Sequence, residues 1–136
     1  MLLKLVRGLP GSGKSDYIKS KFECMVVEDD FFHIHNGIYD FSPSVQRTAL
    51  QSYMPAMVEY VLMSGSDVVV CGVFHRKEDV DRYKNIAEEF NVPFQVICMC
   101  NDFGSIHNID PYDLEDMKAD WEDYPGEIYV NQSIGA

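Results

Sequence analysis

The sequence predicts an α/β fold with an open, mainly parallel sheet of four to five strands and helices on both faces. Strand-like apolar runs alternate with helix-like segments along the chain, as they do in parallel sheets. The run 67–74 is apolar nearly throughout, which is typical of a strand buried on both faces. A glycine-rich turn joins the first strand-like run to the first helix-like segment. No long Pro-, Gly- or Ser-rich stretch divides the chain, so we expect a single domain over residues 1–136.

The first predicted strand and helix flank a phosphate-binding pattern. Residues 2–6 form an apolar run fit for a buried strand, and residues 14–22 contain neither Gly nor Pro, so they can form a helix. Between them, residues 8–15 read GLPGSGKS and fill every fixed place of G-x-x-x-x-G-K-[ST]. The alternative is a Gly-Ser turn that ends in Lys-Ser by chance. The order of strand, turn and helix favours a P-loop, and residues 8–15 are called the phosphate loop below.

The residue types of the phosphate loop suit a nucleoside triphosphate. Gly11 and Gly13 have no Cβ, so the backbone can turn its N–H groups toward an anion. Lys14 is long enough to reach the outer phosphates, and the Ser15 hydroxyl can bind Mg²⁺. The start of the following helix adds unpaired N–H groups and a favourable dipole. We therefore predict ATP and Mg²⁺ as cofactors, with nucleotide contacts from Leu9, Pro10, Gly11, Ser12, Gly13, Lys14 and Ser15.

Acidic residues follow the second predicted strand. Residues 24–27 read CMVV, and Glu28, Asp29 and Asp30 come directly after them. In open α/β sheets the working residues lie just beyond the carboxyl ends of the strands, which here places them beside the phosphate loop. We therefore expect one of Asp29 and Asp30 to be a general base or a magnesium ligand. The alternative is a solvated acidic turn, which the position after a phosphate loop disfavours.

The next stretch combines an aromatic segment with a long helical pattern. Residues 31–41 are rich in aromatic side chains around Asn36-Gly37, a turn signal, and are expected to line a substrate cleft or to cap the core. A helix is predicted from Ser42-Pro43 toward Met63, because Ser suits the N-cap and Pro the first helical position. Pro55 lies inside this pattern and should kink or split the helix just before it.

A strand–helix–strand unit follows. The strand 67–74 precedes a predicted helix over about 77–91, whose apolar residues recur at helical spacing, and a further strand is predicted over 93–99. Arg76 lies just after the first of these strands, at the mouth of the expected site.

The last part of the chain has weaker signals. Residues 101–109 read as a loop, and a helix that includes Trp121 is predicted to start at Asp110-Pro111. Residues 127–130 are expected to form a short last strand. Trp121 is expected to be a packing anchor rather than a platform for a nucleobase.

The net charge of −11 is unevenly distributed. Residues 1–100 carry 10 basic and 13 acidic side chains, for a net charge of −3, whereas residues 101–136 carry one basic and nine acidic, for −8. This balance disfavours non-specific attraction to nucleic acid, so a nucleic-acid substrate would have to be gripped at its end. An acidic partner surface is disfavoured, and a basic protein partner is compatible with the charge.

Cysteine usage and hydropathy indicate the compartment. Cys24, Cys71, Cys98 and Cys100 lie in or beside apolar strand-like runs and contain no C-x-x-C pair, so we expect them to act as small core residues. A disulfide framework is not expected, and a reducing cytoplasm fits best. No apolar run reaches the roughly 18 residues of a membrane span, and no signal peptide is expected.

Together these features resemble the small P-loop kinases of the polynucleotide-kinase type, the 5′-end-healing kinases and their ATP-binding relatives. The resemblance covers most of the chain. Its most specific parts are RGLPGSGKS at residues 7–15, EDDFF at 28–32 and YDF at 39–41, and its weaker parts are the unit 67–91 and residues 106–117. It implies that Asp29 is the general base toward the acceptor hydroxyl.

The chain departs from this family at two places. The relatives usually carry Asp-Asn-Thr or Asp-Thr-Asn at the end of the third strand, where this chain has CGVF at 71–74. The relatives also tend to place arginines in a lid after the fourth strand, whereas no arginine follows Arg82 here. An arginine at the transferring phosphoryl group raises the rate by about 10³-fold or more. Arg76 is the best substitute and Arg47 a weaker one.

The sequence supports three functional hypotheses. The first is an ATP-dependent phosphotransferase whose acceptor is a polynucleotide 5′-hydroxyl, a nucleoside or another small hydroxyl compound. Its predicted catalytic residues are Asp29, Lys14 and Arg76, and its predicted metal ligands are Ser15, Asp29 and Asp30. The second is a nucleotide-dependent binding module, or pseudokinase, with the acidic third of the chain as its docking face. The third is a plain hydrolytic NTPase. The sequence predicts no oligomeric state.

Overall fold

The computed structural model describes residues 1–9, 12–22, 24–28, 32, 34–39, 42–99 and 119–130, with the backbone alone at His35 and Tyr39. The predicted loop 101–109, the start of the predicted helix at Asp110-Pro111, Asp29, Asp30 and Cys100 lie outside the described residues. The elements are β1 (Leu3–Arg7), α1 (Lys14–Lys21), β2 (Met25–Glu28), β3 (Ile34–His35), β4 (Ile38–Tyr39), α2 (Pro43–Thr48), a π-helical turn (Ala49–Tyr53), α3 (Met54–Met63), β5 (Val68–Gly72), α4 (Lys77–Glu89), β6 (Phe94–Met99) and β7 (Ile128–Val130).

Five strands form one parallel sheet in the order β2-β5-β1-β6-β7. The central strand β1 pairs with β5 on one side and with β6 on the other, so that Leu5 lies opposite both Val70 and Val96. Because all five strands run in the same direction, their carboxyl ends meet at one edge of the sheet. The predicted fold class and the mainly parallel sheet are confirmed.

Apolar side chains cover both faces of the sheet. On one face Leu5 and Val70 belong to a buried cluster that includes α3 and α4 residues such as Val58 and Tyr83. On the other face Val6 packs in a smaller buried cluster that includes Ile18 of α1 together with Cys71 and Met99. Burial of each large apolar side chain stabilises the fold by about 1.5–3 kcal/mol. The two clusters hold helices on both faces of the sheet, as the sequence predicts. The smaller cluster packs α1 against the sheet beside the end of β1.

The turn predicted at Asn36-Gly37 joins the two strands of a small antiparallel hairpin, β3 and β4. Asn36 has φ = 52° and Gly37 has φ = 77°. Positive φ at both central residues defines the type I′ turn, whose twist matches that of a hairpin and which Asn-Gly favours. The sequence signal therefore predicts this turn correctly.

The helical pattern that begins at Ser42-Pro43 is interrupted before Pro55. There α2 gives way to the π-helical turn, in which the Met54 N–H donates to the Ala49 carbonyl five residues earlier. A proline has no N–H to donate, and its ring clashes with the carbonyl four residues before it. The wider π turn avoids this clash and lets α3 continue with Pro55 in its first turn. The predicted split is confirmed.

The predicted helix does not extend to Trp121. Residue 119 is helical, Asp120 lies in a turn, and Trp121 has left the helix. The Glu122 N–H donates to the His75 carbonyl at 2.7 Å, so it cannot make the hydrogen bond within a helix. Trp121 instead places its ring 4.1 Å from the guanidinium of Arg7, in agreement with the packing role predicted for it.

In the part of the chain that the structure describes, no helix is both long and apolar enough to cross a bilayer. Cys71 and Cys98 are buried in the core, as predicted, and Cys24 is half-buried.

Candidate nucleotide-binding site

The phosphate loop lies at the carboxyl edge of the sheet, between the end of β1 and the start of α1. Gly13 has φ = 88°, a left-handed conformation that favours glycine, and it is the residue from which α1 begins. The Ser12 N–H donates to the Leu9 carbonyl at 3.1 Å and closes a turn within the loop. Pro10 and Gly11, both predicted contacts, lie outside the described residues.

Gly8 permits a close approach of the loop to its neighbours. A Cβ at this position would lie 2.4 Å from the Ser12 hydroxyl oxygen and 3.1 Å from the Met99 carbonyl oxygen at the end of β6. At the first distance the Ser12 hydroxyl would have to rotate away, and at the second the Met99 backbone would have to shift by a few tenths of an ångström. The first glycine of the pattern therefore lets the loop fold against the adjacent strand.

Lys14 folds back over the loop. Its Nζ donates to the Gly8 carbonyl at 2.8 Å and to the Leu9 carbonyl at 3.1 Å. Both acceptors are neutral, so these bonds position the ammonium group without neutralising its charge. The charge is thus available to an anion bound in the loop.

The start of α1 adds a second favourable feature for an anion. The N-cap residue Gly13 has no side chain with which to cap the helix, and the first-turn N–H groups of a helix have no partners within the helix. Together with the helix dipole, these groups attract phosphate oxygens. Gly13, Lys14 and Ser15 therefore lie at the carboxyl edge of the sheet, where α1 begins.

Ser15, the predicted metal ligand, lies beside a carboxylate that the sequence analysis did not select. The Ser15 hydroxyl donates to Oε1 of Glu28 at 3.3 Å, and both residues are half-buried. Glu28 is the last residue of β2 and lies opposite Cys71 of β5. The sequence signal for Glu28 was its place at the end of a predicted strand. The site role was instead predicted for the neighbouring Asp29 and Asp30.

Arg76, the predicted catalytic arginine, lies just before α4 and is paired with carboxylates. Its Nη2 lies 3.3 Å from Oδ2 of Asp120, and its Nη1 lies 3.8 Å from Oε1 of Glu78. All three side chains are largely exposed, so each pair stabilises the fold by about 1 kcal/mol or less. These pairs can therefore exchange readily for a bound phosphate. Arg47, the weaker substitute, is exposed on α2.

His75 and Asp79 form a half-buried titratable pair next to Arg76. Burial lowers the pKa of His75, and the Asp79 carboxylate acts in the opposite direction. Burial also raises the pKa of Asp79, against the effect of the nearby His75 and Arg82 charges. Burial therefore favours the neutral form of each group.

A cavity of about 900 Å³ lies elsewhere, lined among others by Lys77, Lys84, Phe94 and Tyr124. It includes no residue of the phosphate loop. The phosphate loop, and not this cavity, lies at the start of α1 and carries the Lys14 ammonium, two features that suit an anion.

No family model and no curated protein matches the sequence. Solved structures do match the fold. A sugar kinase of Janibacter sp. aligns with a TM-score of 0.65 at 15% identity, over 97% of this chain and 84% of that chain. Kti12 of Chaetomium thermophilum in complex with ADP-AlF3 aligns with 0.63 at 16% identity, over 95% and 88%. The APS kinase CysC of Mycobacterium tuberculosis in complex with AMPPNP and APS aligns with 0.60 at 14% identity, over 98% and 90%.

The neighbours include a sugar kinase and an APS kinase, and this chain has the P-loop kinase fold. Identities of 14–16% extend the likeness to the fold and not to the substrate. The P-loop kinase fold that the sequence resemblance implies is confirmed. The polynucleotide-kinase part of the resemblance stays a prediction.

Proposed function

We propose that the protein is an ATP-dependent phosphotransferase that moves the γ-phosphate of ATP to a hydroxyl group. The observation that carries this proposal is the conformation of the phosphate loop. Lys14 is held over the loop by the carbonyls of Gly8 and Leu9, and a left-handed Gly13 leads into α1. This arrangement suits a polyphosphate, and it lies in a fold shared with P-loop kinases.

The residues of the loop divide the work of binding between them. Residues 9–15 would bind the phosphates through backbone N–H groups other than those of Pro10, which has none, and Ser12, whose N–H donates to the Leu9 carbonyl. Lys14 would stabilise the charge that develops during transfer. Ser15 offers a hydroxyl oxygen, a ligand that suits Mg²⁺, and the nearby Glu28 carboxylate accepts the hydrogen bond of that hydroxyl, so the residues present fit this ion. Mg²⁺ when bound would offset negative charge on the phosphates.

Transfer of the phosphoryl group also needs a base that takes the proton of the acceptor hydroxyl and a positively charged side chain beside the acceptor. We propose Asp29 as the base that takes the acceptor proton, with Asp30 as a further metal ligand. Both follow Glu28 directly in the sequence, and Glu28 ends β2 at the edge that also holds the phosphate loop. Arg76 would contribute positive charge once its pairs with Asp120 and Glu78 are exchanged for the substrate.

A small hydroxyl compound or a nucleic-acid 5′ end is the proposed acceptor. Two of the similar structures are a sugar kinase and an APS kinase, which supports a small acceptor. The net charge of −11 argues against broad contact with a nucleic-acid backbone. We further propose a cytoplasmic location, because buried thiols at Cys71 and Cys98 suit a reducing compartment.

A nucleotide-dependent binding module is the second candidate function. It is favoured by Cys71, a buried thiol where the sequence resemblance expects an acid, and by the pairing of Arg76 with two carboxylates. Such a module would bind nucleotide with little turnover and would dock a basic partner on the acidic residues of its last third.

Incubation with γ-labelled ATP and a panel of acceptors tests the proposal. The panel contains 5′-hydroxyl DNA and RNA, nucleosides, sugars and small alcohols, and the Lys14→Met variant is the inactive control. Label on one class of acceptor supports the phosphotransferase and identifies its substrate class. Label released only as phosphate favours a plain NTPase, and binding of ATP without turnover favours the binding module. Failure to bind nucleotide at all contradicts the proposal.

A further inference from the structure

We infer that Glu28 is a positioning residue for the magnesium site. Its carboxylate accepts a hydrogen bond from the Ser15 hydroxyl and so orients this hydroxyl toward the ion. The inference rests on the proposed nucleotide site and adds to it a residue that the sequence analysis passed over.

The first argument is the position of Glu28 in the sheet. The last residues of the five parallel strands are Arg7, Glu28, Gly72, Met99 and Val130, all at the same edge. Among these described strand ends, Glu28 is the single carboxylate. Its register partner on β5 is Cys71, whose buried thiol is a poor ligand for a hard cation.

The second argument is the direction of the hydrogen bond. Ser15 donates to Oε1 of Glu28, so the hydroxyl hydrogen points toward β2 and the oxygen lone pairs are left for a cation. A carboxylate acceptor also increases the electron density on the hydroxyl oxygen. Partners of this kind orient the groups that hold a metal ion, and their mutation typically costs about 10- to 100-fold in metal affinity.

The length of the hydrogen bond limits what it contributes to the stability of the fold. The donor–acceptor distance of 3.3 Å is long for a bond between a hydroxyl and a carboxylate, which usually measures about 2.5–2.7 Å. The bond therefore stabilises the fold little. A half-buried negative charge beside the phosphate loop would also repel a nucleotide that arrives without a cation. The arrangement consequently favours the magnesium complex of the nucleotide over the free nucleotide.

Calorimetric titration of ADP and ATP, in Mg²⁺ and in EDTA, tests this inference without any need for turnover. Glu28→Gln removes the charge and keeps an acceptor oxygen, Glu28→Ala removes both, and Glu89→Gln on the exposed end of α4 is the matched control. We expect Glu28→Ala to lower affinity in Mg²⁺ by roughly 10- to 100-fold, with a smaller loss for Glu28→Gln. Affinity in EDTA should stay equal or rise for both variants, and Glu89→Gln should match the wild type.

A second arm uses the Ser15→Ala background. If Glu28 acts through Ser15, then Glu28→Gln should change the magnesium dependence of binding much less in Ser15→Ala than in the wild-type protein. Equal effects in both backgrounds would overturn the proposed route.

The outcomes separate this inference from the function on which it rests. A wild-type protein that binds no nucleotide in either condition contradicts the proposed function itself. A wild-type protein that prefers the magnesium complex, with Glu28 variants that behave identically to it, overturns only the role of Glu28. Equal losses in Mg²⁺ and in EDTA would assign Glu28 a purely structural role and would also overturn the inference.

Discussion

Arg7 and Glu127 form a buried ion pair in which Nη1 lies 2.7 Å from Oε2 and the side chains are 0% and 1% exposed. The same guanidinium donates from Nε to the Phe74 carbonyl at 3.0 Å and from Nη2 to the Glu122 carbonyl at 2.8 Å. Arg7 directly precedes the phosphate loop. The network therefore joins the start of the loop to the end of β5 and to residues 122–127.

Replacement of Arg7 alone should destabilise the protein strongly. Arg7→Met leaves Glu127 as an uncompensated buried carboxylate, and removal of one partner of such a pair typically costs about 3–5 kcal/mol. Urea denaturation should therefore show this loss in the free energy of unfolding. The double variant Arg7→Met with Glu127→Met should recover part of it, because no charge is then left unpaired. A double variant as unstable as Arg7→Met would show that the hydrogen bonds to Phe74 and Glu122 dominate.

Gly8 is expected to be essential for the shape of the phosphate loop. In Gly8→Ala the added methyl group would displace the Ser12 hydroxyl and press on the Met99 carbonyl, so the hydroxyl must rotate and the loop or the end of β6 must shift by a few tenths of an ångström. We expect nucleotide affinity to fall at least about tenfold, the equivalent of one charge-assisted hydrogen bond.

Gly72→Ala is the matched control for this change, since the atoms nearest to its added methyl belong to the Phe74 ring, the first at 3.0 Å. It should lower the thermal midpoint and leave the affinity near that of the wild type. Comparable affinities for Gly8→Ala and the wild type would show that the loop tolerates the methyl group.

Lys14→Met should weaken nucleotide binding. A hydrogen bond to a charged group stabilises by about 1.5–3 kcal/mol, so the expected loss is roughly 10- to 100-fold in affinity. Lys19→Met, on the exposed part of the same helix, removes an equal charge and should bind like the wild type. Equilibrium dialysis with labelled ATP measures both. If the two variants lost affinity equally, net charge rather than the position of Lys14 would be responsible.

Local signals account for most of what the sequence could predict. The runs 2–6 and 67–74 predict buried strands because their residues, apart from Lys4 and Asp67, are apolar. The phosphate loop is predictable because its glycines encode its backbone conformation, and the split helix because Pro55 acts on the turn just before it.

Contacts between distant parts of the chain were not predictable from such signals. The bond between Ser15 and Glu28 joins residues 13 positions apart, and it depends on β2 lying beside β5 rather than beside β1. The pair Arg7–Glu127 spans 120 positions. Trp121 was wrongly predicted to be helical because its apolar spacing fits a helix. Its contact with the Arg7 guanidinium and the bond between Glu122 and His75 instead hold this segment outside a helix.

His75 should make stability fall under mildly acidic conditions. Its pKa is lower in the folded protein than the usual value of about 6.5, chiefly through burial, with Arg76 and Arg7 acting in the same direction. The unfolded chain therefore binds the proton more tightly, and the contribution of neutral His75 is present above about pH 6.5 and is lost as the pH falls below it. Asp79, whose pKa is raised by burial, contributes the opposite slope.

Urea denaturation of the wild type and of His75→Gln between about pH 5 and 8 measures the contribution of His75 together with its effect on Asp79, because the remaining titrating groups are common to both proteins. The free energy of unfolding of the wild type should drop relative to that of the variant as the pH decreases through this range. A constant difference between the two proteins would mean that His75 titrates alike in the folded and unfolded states. A difference that grows in favour of the wild type at low pH would mean that the carboxylates of Asp79 and Asp120 outweigh burial.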